Sequence, residues 1–407
     1  MSVKRAKPGY KLTPCGEIPQ EWECVPLGTI FAERAESGFN DLPLLAITGD
    51  RGVVPRDSLN RRDSSKEDKS AYLRVLPDDI AYNTMRMWQG VSGLSEHEGI
   101  VSPAYTVCRP LKGLIPSFAP HLLKHPANIR LFHRHSQGLV DDTLNLKFHH
   151  FEKIHVALPS TKEQRRIATI LKDVDVALLN GRTVIEQRRC IRDDVVIARV
   201  KSMKSPLKKL GELITSIDAG KSPECPDHPA GPNQCGVIKG GAITSNGFCP
   251  SENKFIEDVS VFDPRMEIQP GDLLITRGSG SRELVGMSCL ATRSSQRLFL
   301  SDLVLRLRLV PQLIHSGYLD IILKLPIIRS QIERHAVGSN GIKKINRSLV
   351  RELTIPLPSL IEQQEIVSIT EGFQRSFAAE EQKLASLERV KTELARRLLT
   401  GELRVKP

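Results

Sequence analysis

No run of 18 apolar residues occurs in the 407-residue chain, and no secretory leader opens it, so a soluble cytoplasmic protein without membrane contact is expected. The eight cysteines include no Cys-x-x-Cys pair. Zinc sites show tighter pairs than Cys225, Cys235 and Cys249 with His228, so no metal site is expected and the thiols should be reduced and unpaired. Signatures of catalysis are missing too. There is no Asn-Pro-Pro-Tyr or Asp-Pro-Pro-Tyr, which amino-methyltransferases of the adenine type carry. Gly220-Lys221-Ser222 imitates the end of a P-loop, but the upstream glycine falls on Thr215. Pro226-Asp227 with Glu252-x-Lys254 imitates the acidic-lysine core of some nucleases, yet both halves read as Pro/Gly-rich loop rather than paired strands. His149-His150 is no ligand pair if it lies on a strand, where neighbours point to opposite faces.

What the chain does have is size, charge and a repeat. Its length implies two to four domains, and 40% hydrophobic content is enough to build cores. A formal net charge of +11 favours a polyanionic partner, most often nucleic acid. The repeat is Leu158-Pro159-Ser160 with Glu163-Gln164 and Ile167, which returns as Leu357-Pro358-Ser359 with Glu362-Gln363 and Ile366. Both Ser-x-x-Glu spacings fit a capping box, and the prolines keep an earlier helix from running through.

A long helix follows each start. The second carries an apolar stripe at Ile366, Ile369, Phe373, Phe377, Leu384, Leu387, Leu394 and Leu398 and stops at Gly401. The first is weaker: Ile167, Leu171, Val174, Leu178 and Ile185, with Gly181 inside it at a cost of about 1 kcal/mol and Arg188-Arg189 interrupting. At roughly 35–40 residues, or about 55 Å, a helix with one apolar stripe needs a partner helix. Each stripe is the economical partner of the other.

The chain therefore divides into residues 1–157, a globular domain; 158–200, a long helix; 201–356, a second globular domain; and 357–407, a second long helix. Short strand-like runs separated by Gly, Pro and Asp make both domains mixed α/β (α+β). A single helix is expected over 119–133 and again over 316–335. Residues 56–70 and 223–236 read as loop. Pro126, Arg130, His135 and Gly138 parallel Pro326, Arg329, His335 and Gly338, and Leu144-Asn145 parallels Ile345-Asn346.

With these pieces in place the whole chain resembles the specificity subunits of type I restriction-modification systems. In the first domain the likeness rests on Tyr82-Asn83-Thr84-Met85-Arg86-Met87-Trp88-Gln89-Gly90 and Gly99-Ile100-Val101-Ser102-Pro103-Ala104-Tyr105. In the second it rests on Pro270-Gly271-Asp272-Leu273-Leu274, Thr276-Arg277 and Val285-Gly286, and it is completed by the helix starts and Leu398-Leu399-Thr400-Gly401. The resemblance implies two target-recognition domains held apart by two antiparallel helices in a coiled coil, an internal pseudo-twofold repeat. Each domain would read half of a bipartite site on double-stranded DNA. The helices would fix the unread spacer and dock two methyltransferase subunits, with restriction/translocase subunits joining through the complex. S-adenosylmethionine, ATP and Mg would sit on those partners, and this chain would be no enzyme. The alternatives are a pure protein-interaction scaffold, or a methyltransferase or nuclease with an unfamiliar site. The Asn-x-Met-Arg-x-Trp stretch has no match in the second domain, so the two should read different sequences.

Residue chemistry nominates the DNA contacts. Phosphates need cationic and small hydrogen-bonding groups, and base edges need Arg, Gln, Asn, Ser or Thr. Candidates in the first domain are Thr84, Arg86, Trp88 and Gln89, with Arg61-Arg62 in the polar loop. In the second they are Lys221-Ser222, Lys239, the Gly/Ser/Arg loop of Arg277, Ser279, Ser281 and Arg282, and Lys343-Lys344 with Asn346-Arg347. The competing reading for Trp88 is a core position, and for the charged groups a solvated surface.

Overall fold

A computed structural model describes residues 6–49, 51–59, 68–140, 143–280, 284–335 and 343–405, of residue 343 the backbone only. The chain forms two compact units, residues 1–182 with 382–407, and residues 183–381. Both boundaries fall inside the long helices.

In unit 1, β1 (Glu23–Pro26) pairs antiparallel with β6 (His155–Leu158), and β2 (Phe31–Glu33), β3 (Ile80–Asn83), β4 (Ser92–Leu94) and β5 (Tyr105–Pro110) form an antiparallel sheet in the order β2-β5-β3-β4. Helices α1 (Ala119–Lys124), α2 (Pro126–His135) and α3 (Phe148–Phe151) supply Leu122, Leu123, Phe132 and Phe151 to its core, which also takes Ile80 and Tyr82 from β3. The start of α4 (Thr161–Ser202) and the end of α8 (Leu360–Thr400) enter the same core through Ile167, Leu171 and Leu398.

Unit 2 repeats this. β7 (Leu207–Lys209) pairs with β12 (Thr354–Pro356), and β8 (Ile214–Ala219), β9 (Leu273–Thr276), β10 (Ser288–Leu290) and β11 (Val304–Leu309) make a sheet in the order β8-β11-β9-β10. Helices α5 (Ser316–Lys324), α6 (Pro326–His335) and α7 (Arg347–Glu352) cover it, and the end of α4 and the start of α8 enter through Val196 and Ile366. Gly28 and Gly211 stand at the same corner: an added Cβ would come 2.9 Å from Glu152 Cβ in unit 1 and 3.1 Å from the Arg351 carbonyl in unit 2.

Within each unit the long helices run antiparallel. In unit 1, Lys391 meets Asp175, and Arg182 meets Glu388 at 2.6 Å. In unit 2, Arg189 meets Glu381 at 3.1 Å and Arg199 meets Glu365 at 2.6 Å. Such exposed pairs contribute at most about 1 kcal/mol each; apolar burial holds the helices. Leu178, Ile185 and Phe377 are buried, and Val174, Ile369, Phe373, Leu384, Leu387 and Leu394 half-buried. Gly181, unfavourable for helix, has a packing reason: Leu384 lies so close that an added Cβ would come within 2.5 Å of its methyl.

Four local expectations need correction. The two single helices are each broken in two, because the residue before a proline is pushed out of the helical region: His125 has ψ 131° before Pro126, and Leu325 has ψ 145° before Pro326. The capping box forms at Ser359 and Glu362, whose carboxylate accepts from the Ser359 N–H at 2.9 Å. At the first start Glu163 receives the Ser160 cap on its N–H, but its carboxylate turns instead to Trp22 Nε1 at 3.0 Å and Arg404 Nε at 2.8 Å. The thiols are not all unpaired, since Cys15 in the turn after Tyr10–Thr13 is bonded to Cys24 on β1.

Candidate nucleic-acid interface

In both units the sheet's inner strand ends in a polar segment held by the same backbone bonds. Thr84, the first residue beyond β3, donates its N–H to the Ala104 carbonyl at 3.2 Å, and its own carbonyl accepts from the Leu146 N–H at 2.8 Å. Arg277, the first beyond β9, donates to Leu303 at 2.7 Å and accepts from Ile345 at 2.8 Å, so that Ile345 answers to Leu146 rather than to Leu144. Each segment closes on a glycine with positive φ, Gly90 at 78° and Gly286 at 72°, where an added Cβ would press on Ile129 of α2 or Ile332 of α6. The two stretches nominated separately from sequence are thus structural counterparts. The second segment is longer, and the shared feature is a set of main-chain bonds, so residue types alone do not expose it.

The unit 1 candidates divide by role. Thr84 is buried, and its hydroxyl donates to the Ala104 carbonyl at 2.8 Å, so it fixes the strand end. Trp88 is half-buried, donates from Nε1 to the Met85 carbonyl at 3.0 Å, and stands edge-on to His133 of α2 at 5.6 Å. Its ring holds the segment against α2. Arg86 and Gln89 are exposed, as is Met85. Arg61 and Arg62 lie outside the described residues.

The unit 2 candidates, scattered in sequence, gather round the end of β9. The Ser222 hydroxyl donates to the Asp302 carboxylate, and Arg277 Nη1 donates to the Asp302 carbonyl at 3.3 Å, which ties Lys221-Ser222 to the segment after β9. Gly278–Ser279 pairs with Lys343–Lys344, and Gly240, next to Lys239, faces the Gly278 carbonyl. Lys221, Lys344 and Arg347 are exposed. Asn346 is spent on structure: its side chain caps α7, accepting from the Leu349 N–H at 2.7 Å. Ser281 and Arg282 lie outside the described residues, as does the Lys343 side chain. The nuclease look-alike changes in one detail, for Lys254 sits on the strand Asn253–Phe255 and pairs with Asp227 at 3.1 Å.

Two features went unread in the sequence. Gln164 and Gln363, fully buried, clamp the loop before α1 or α5. Gln164 donates to the Gly113 and Pro159 carbonyls and accepts from the Ile115 N–H; Gln363 donates to Leu313 and Pro358 and accepts from His315. Their matched position in the repeat was the available signal. His149 and His150 lie on the short helix α3 rather than a strand, so their rings meet at 4.0 Å instead of facing apart. Burial pushes the His150 imidazole below its usual range, and the neighbouring His149, Lys153, His135 and Lys147 push it the same way.

The family model of the type I restriction modification DNA specificity domain matches residues 90–187 and 206–389, more than half of the chain. The chain belongs to that family. It is 24% identical over 399 residues to the type I restriction enzyme EcoKI specificity subunit of Escherichia coli (strain K12), covering 86% of this chain and 82% of that one. It is 29% identical over 198 residues to the EcoEI specificity subunit of Escherichia coli, a match covering 48% of this chain and only 33% of that relative. Among solved structures, the type I restriction-modification S subunit from M. genitalium has a TM-score of 0.48 at 16% identity, over 95% of this chain and 97% of that one.

Proposed function

We propose that the chain is the DNA-recognition subunit of a type I restriction-modification complex. Each unit reads one half of a bipartite duplex site through the polar segment at the end of its inner strand. The antiparallel helices set the unread spacer and dock two methyltransferase subunits, through which restriction/translocase subunits join. Methylation, ATP hydrolysis and cleavage, with S-adenosylmethionine, ATP and Mg, belong to those partners, and this chain is a non-catalytic cytoplasmic component. The observation that carries the reading is the pairing of two family matches with two units that present equivalent, chemically different segments at the same place.

Methylome sequencing of a host carrying the complete operon tests it. Replacing residues 1–157 with another family member's domain should change one half-site and keep the other. Inserting one helical turn between Arg182 and Arg189, with a matching turn in α8, should lengthen the spacer and leave both half-sites intact. An unchanged spacer, or change in both half-sites of the chimera, refutes the reading.

A further inference from the structure

Four of the chain's 11 histidines collect at one edge of unit 1. His133 and His135 end α2, His149 and His150 lie on α3, and Phe132 stacks on Phe151 at 5.9 Å to hold the two helices together. This edge adjoins the recognition segment on both sides. Leu146, one residue before Lys147, bonds to Thr84, and Trp88 stands against His133. The groups acting on His150 are His149 and Lys147 on its own segment, Lys153 beyond α3 and His135 from α2, none of them a carboxylate. The nearest carboxylate in sequence, Glu152, has its Cβ turned to Gly28, and Asp141 and Asp142 lie outside the described residues. Unit 2 keeps only His335, the counterpart of His135: Asn346, Ser348 and Leu349 stand where Lys147, His149 and His150 stand in unit 1, and Glu333 replaces His133.

We propose that His135, His149 and His150, with Lys147, form a proton-linked phosphate contact for the DNA bound by unit 1. The inference rests on the DNA-recognition reading. The His150 imidazole, its ring 4.0 Å from that of His149 and with lysines nearby, resists protonation while no anion is near. A backbone phosphate removes that penalty, and each imidazolium then offers donors on both ring nitrogens. Binding takes up protons, so affinity rises as pH falls. Only the unit 1 grip carries this linkage.

The test is fluorescence anisotropy of the full chain on a mixed-sequence duplex of about 40 base pairs, at constant ionic strength, from about pH 8 to 5.5, the range in which histidine titrates. The wild-type chain should bind about tenfold tighter at the acid end, since each proton taken up steepens affinity by up to about tenfold per pH unit. The triple variant H135Q/H149Q/H150Q should match the wild type near pH 8, where the imidazoles are neutral, and lose most of the pH dependence. Arg347→Ala in unit 2 should weaken binding at every pH and keep the slope. A triple variant with the wild-type slope, or a wild-type chain with none, overturns the proposal. Absence of salt-sensitive duplex binding at any pH would instead remove the DNA reading itself. Trp88 emission, which reports the adjoining segment, shows whether the variant keeps its fold.

Discussion

The two units solve one electrostatic problem with opposite placements of charge. Each has a tight turn before its inner strand, with positive φ at Asp78 (71°) or Gly271 (90°), followed by an aspartate. The Asp79 carboxylate accepts from the Leu76 N–H at 2.9 Å, and Asp272 accepts from Gln269 at the same distance. The turn therefore fixes a buried carboxylate in both sheets. In unit 1 the cation comes from the edge: Arg34, just beyond β2, lies 2.7 Å from Asp79. In unit 2 that edge position holds an aspartate, Asp218, and the cation moves to the neighbouring strand, where Arg306 on β11 stands in place of Val107 on β5. Arg306 is fully buried and binds both Asp218 and Asp272 at 2.8 Å, with Arg308 closing the set. The strand identity of each charge was free to drift, but local neutrality was not, because an unpaired charge in the interior is strongly destabilising.

The largest expected effect follows from this. Arg306→Ala removes the fully buried cation between two carboxylates, leaving them only the half-exposed Arg308, and should cost about 3–5 kcal/mol, whereas Arg34→Ala removes a partly exposed cation from one carboxylate and should cost about 1–3 kcal/mol. Both tryptophans, Trp22 and Trp88, belong to unit 1, so their emission in urea follows that unit alone. Hydrogen exchange of the β9 and β11 amides follows unit 2. An Arg34 variant that is the more damaging of the two would break the comparison.

Where the units agree, the effects should agree as well. Gln164→Ala and Gln363→Ala each abandon two buried carbonyls and one N–H, at about 2–4 kcal/mol. Because the three partners are the same in kind and within 0.2 Å in length, the two costs should match to about 0.5 kcal/mol. A large gap would mean that the loops before α1 and α5 differ in their freedom once released.

These residues also mark what could be seen in the sequence. The duplication, the helix starts and the Gly401 stop were legible, because capping and apolar periodicity are local and leave fixed spacings. Gly181 was visible as a cost but not as a need, since its reason is Leu384 on the other helix. The helix breaks at Pro126 and Pro326 were signalled by the prolines, yet the apolar pattern runs across them and hides the break. Arg306 sits in an alternating Leu-Arg-Leu-Arg run that reads as half-exposed; both faces of β11 are covered as far as Leu307, which only the assembled sheet reveals. The counterpart relation of the segments after β3 and β9 rests on main-chain bonds and was invisible. For the candidate DNA contacts, residue type nominated the segment, while the fold set Thr84, Trp88 and Asn346 to structural tasks.

The smallest effect distinguishes the two helix starts through pH. In unit 1 burial alone would raise the Glu163 carboxyl, but hydrogen bonds from Arg404 and Trp22 outweigh it and hold the group below its ordinary range. In unit 2 the Ser359 hydroxyl and N–H lower Glu362, which is open to solvent and screened. A carboxylate depressed by folding stabilises above its unfolded pKa, about 4.3, and that contribution is lost as pH falls through the lower folded value. Between about pH 5 and 3 the midpoint of unit 1, followed by tryptophan emission, should therefore fall more steeply in the wild type than in Glu163→Gln, which has nothing to protonate there. Glu362→Gln should leave the acid limb of unit 2 nearly unchanged, because its partner is a cap on an exposed turn rather than a buried cation. Equal flattening by both substitutions would show that the Trp22–Glu163–Arg404 contact contributes no more to unit 1 than the simple cap contributes to unit 2, and that the divergence of the two starts is without consequence for stability.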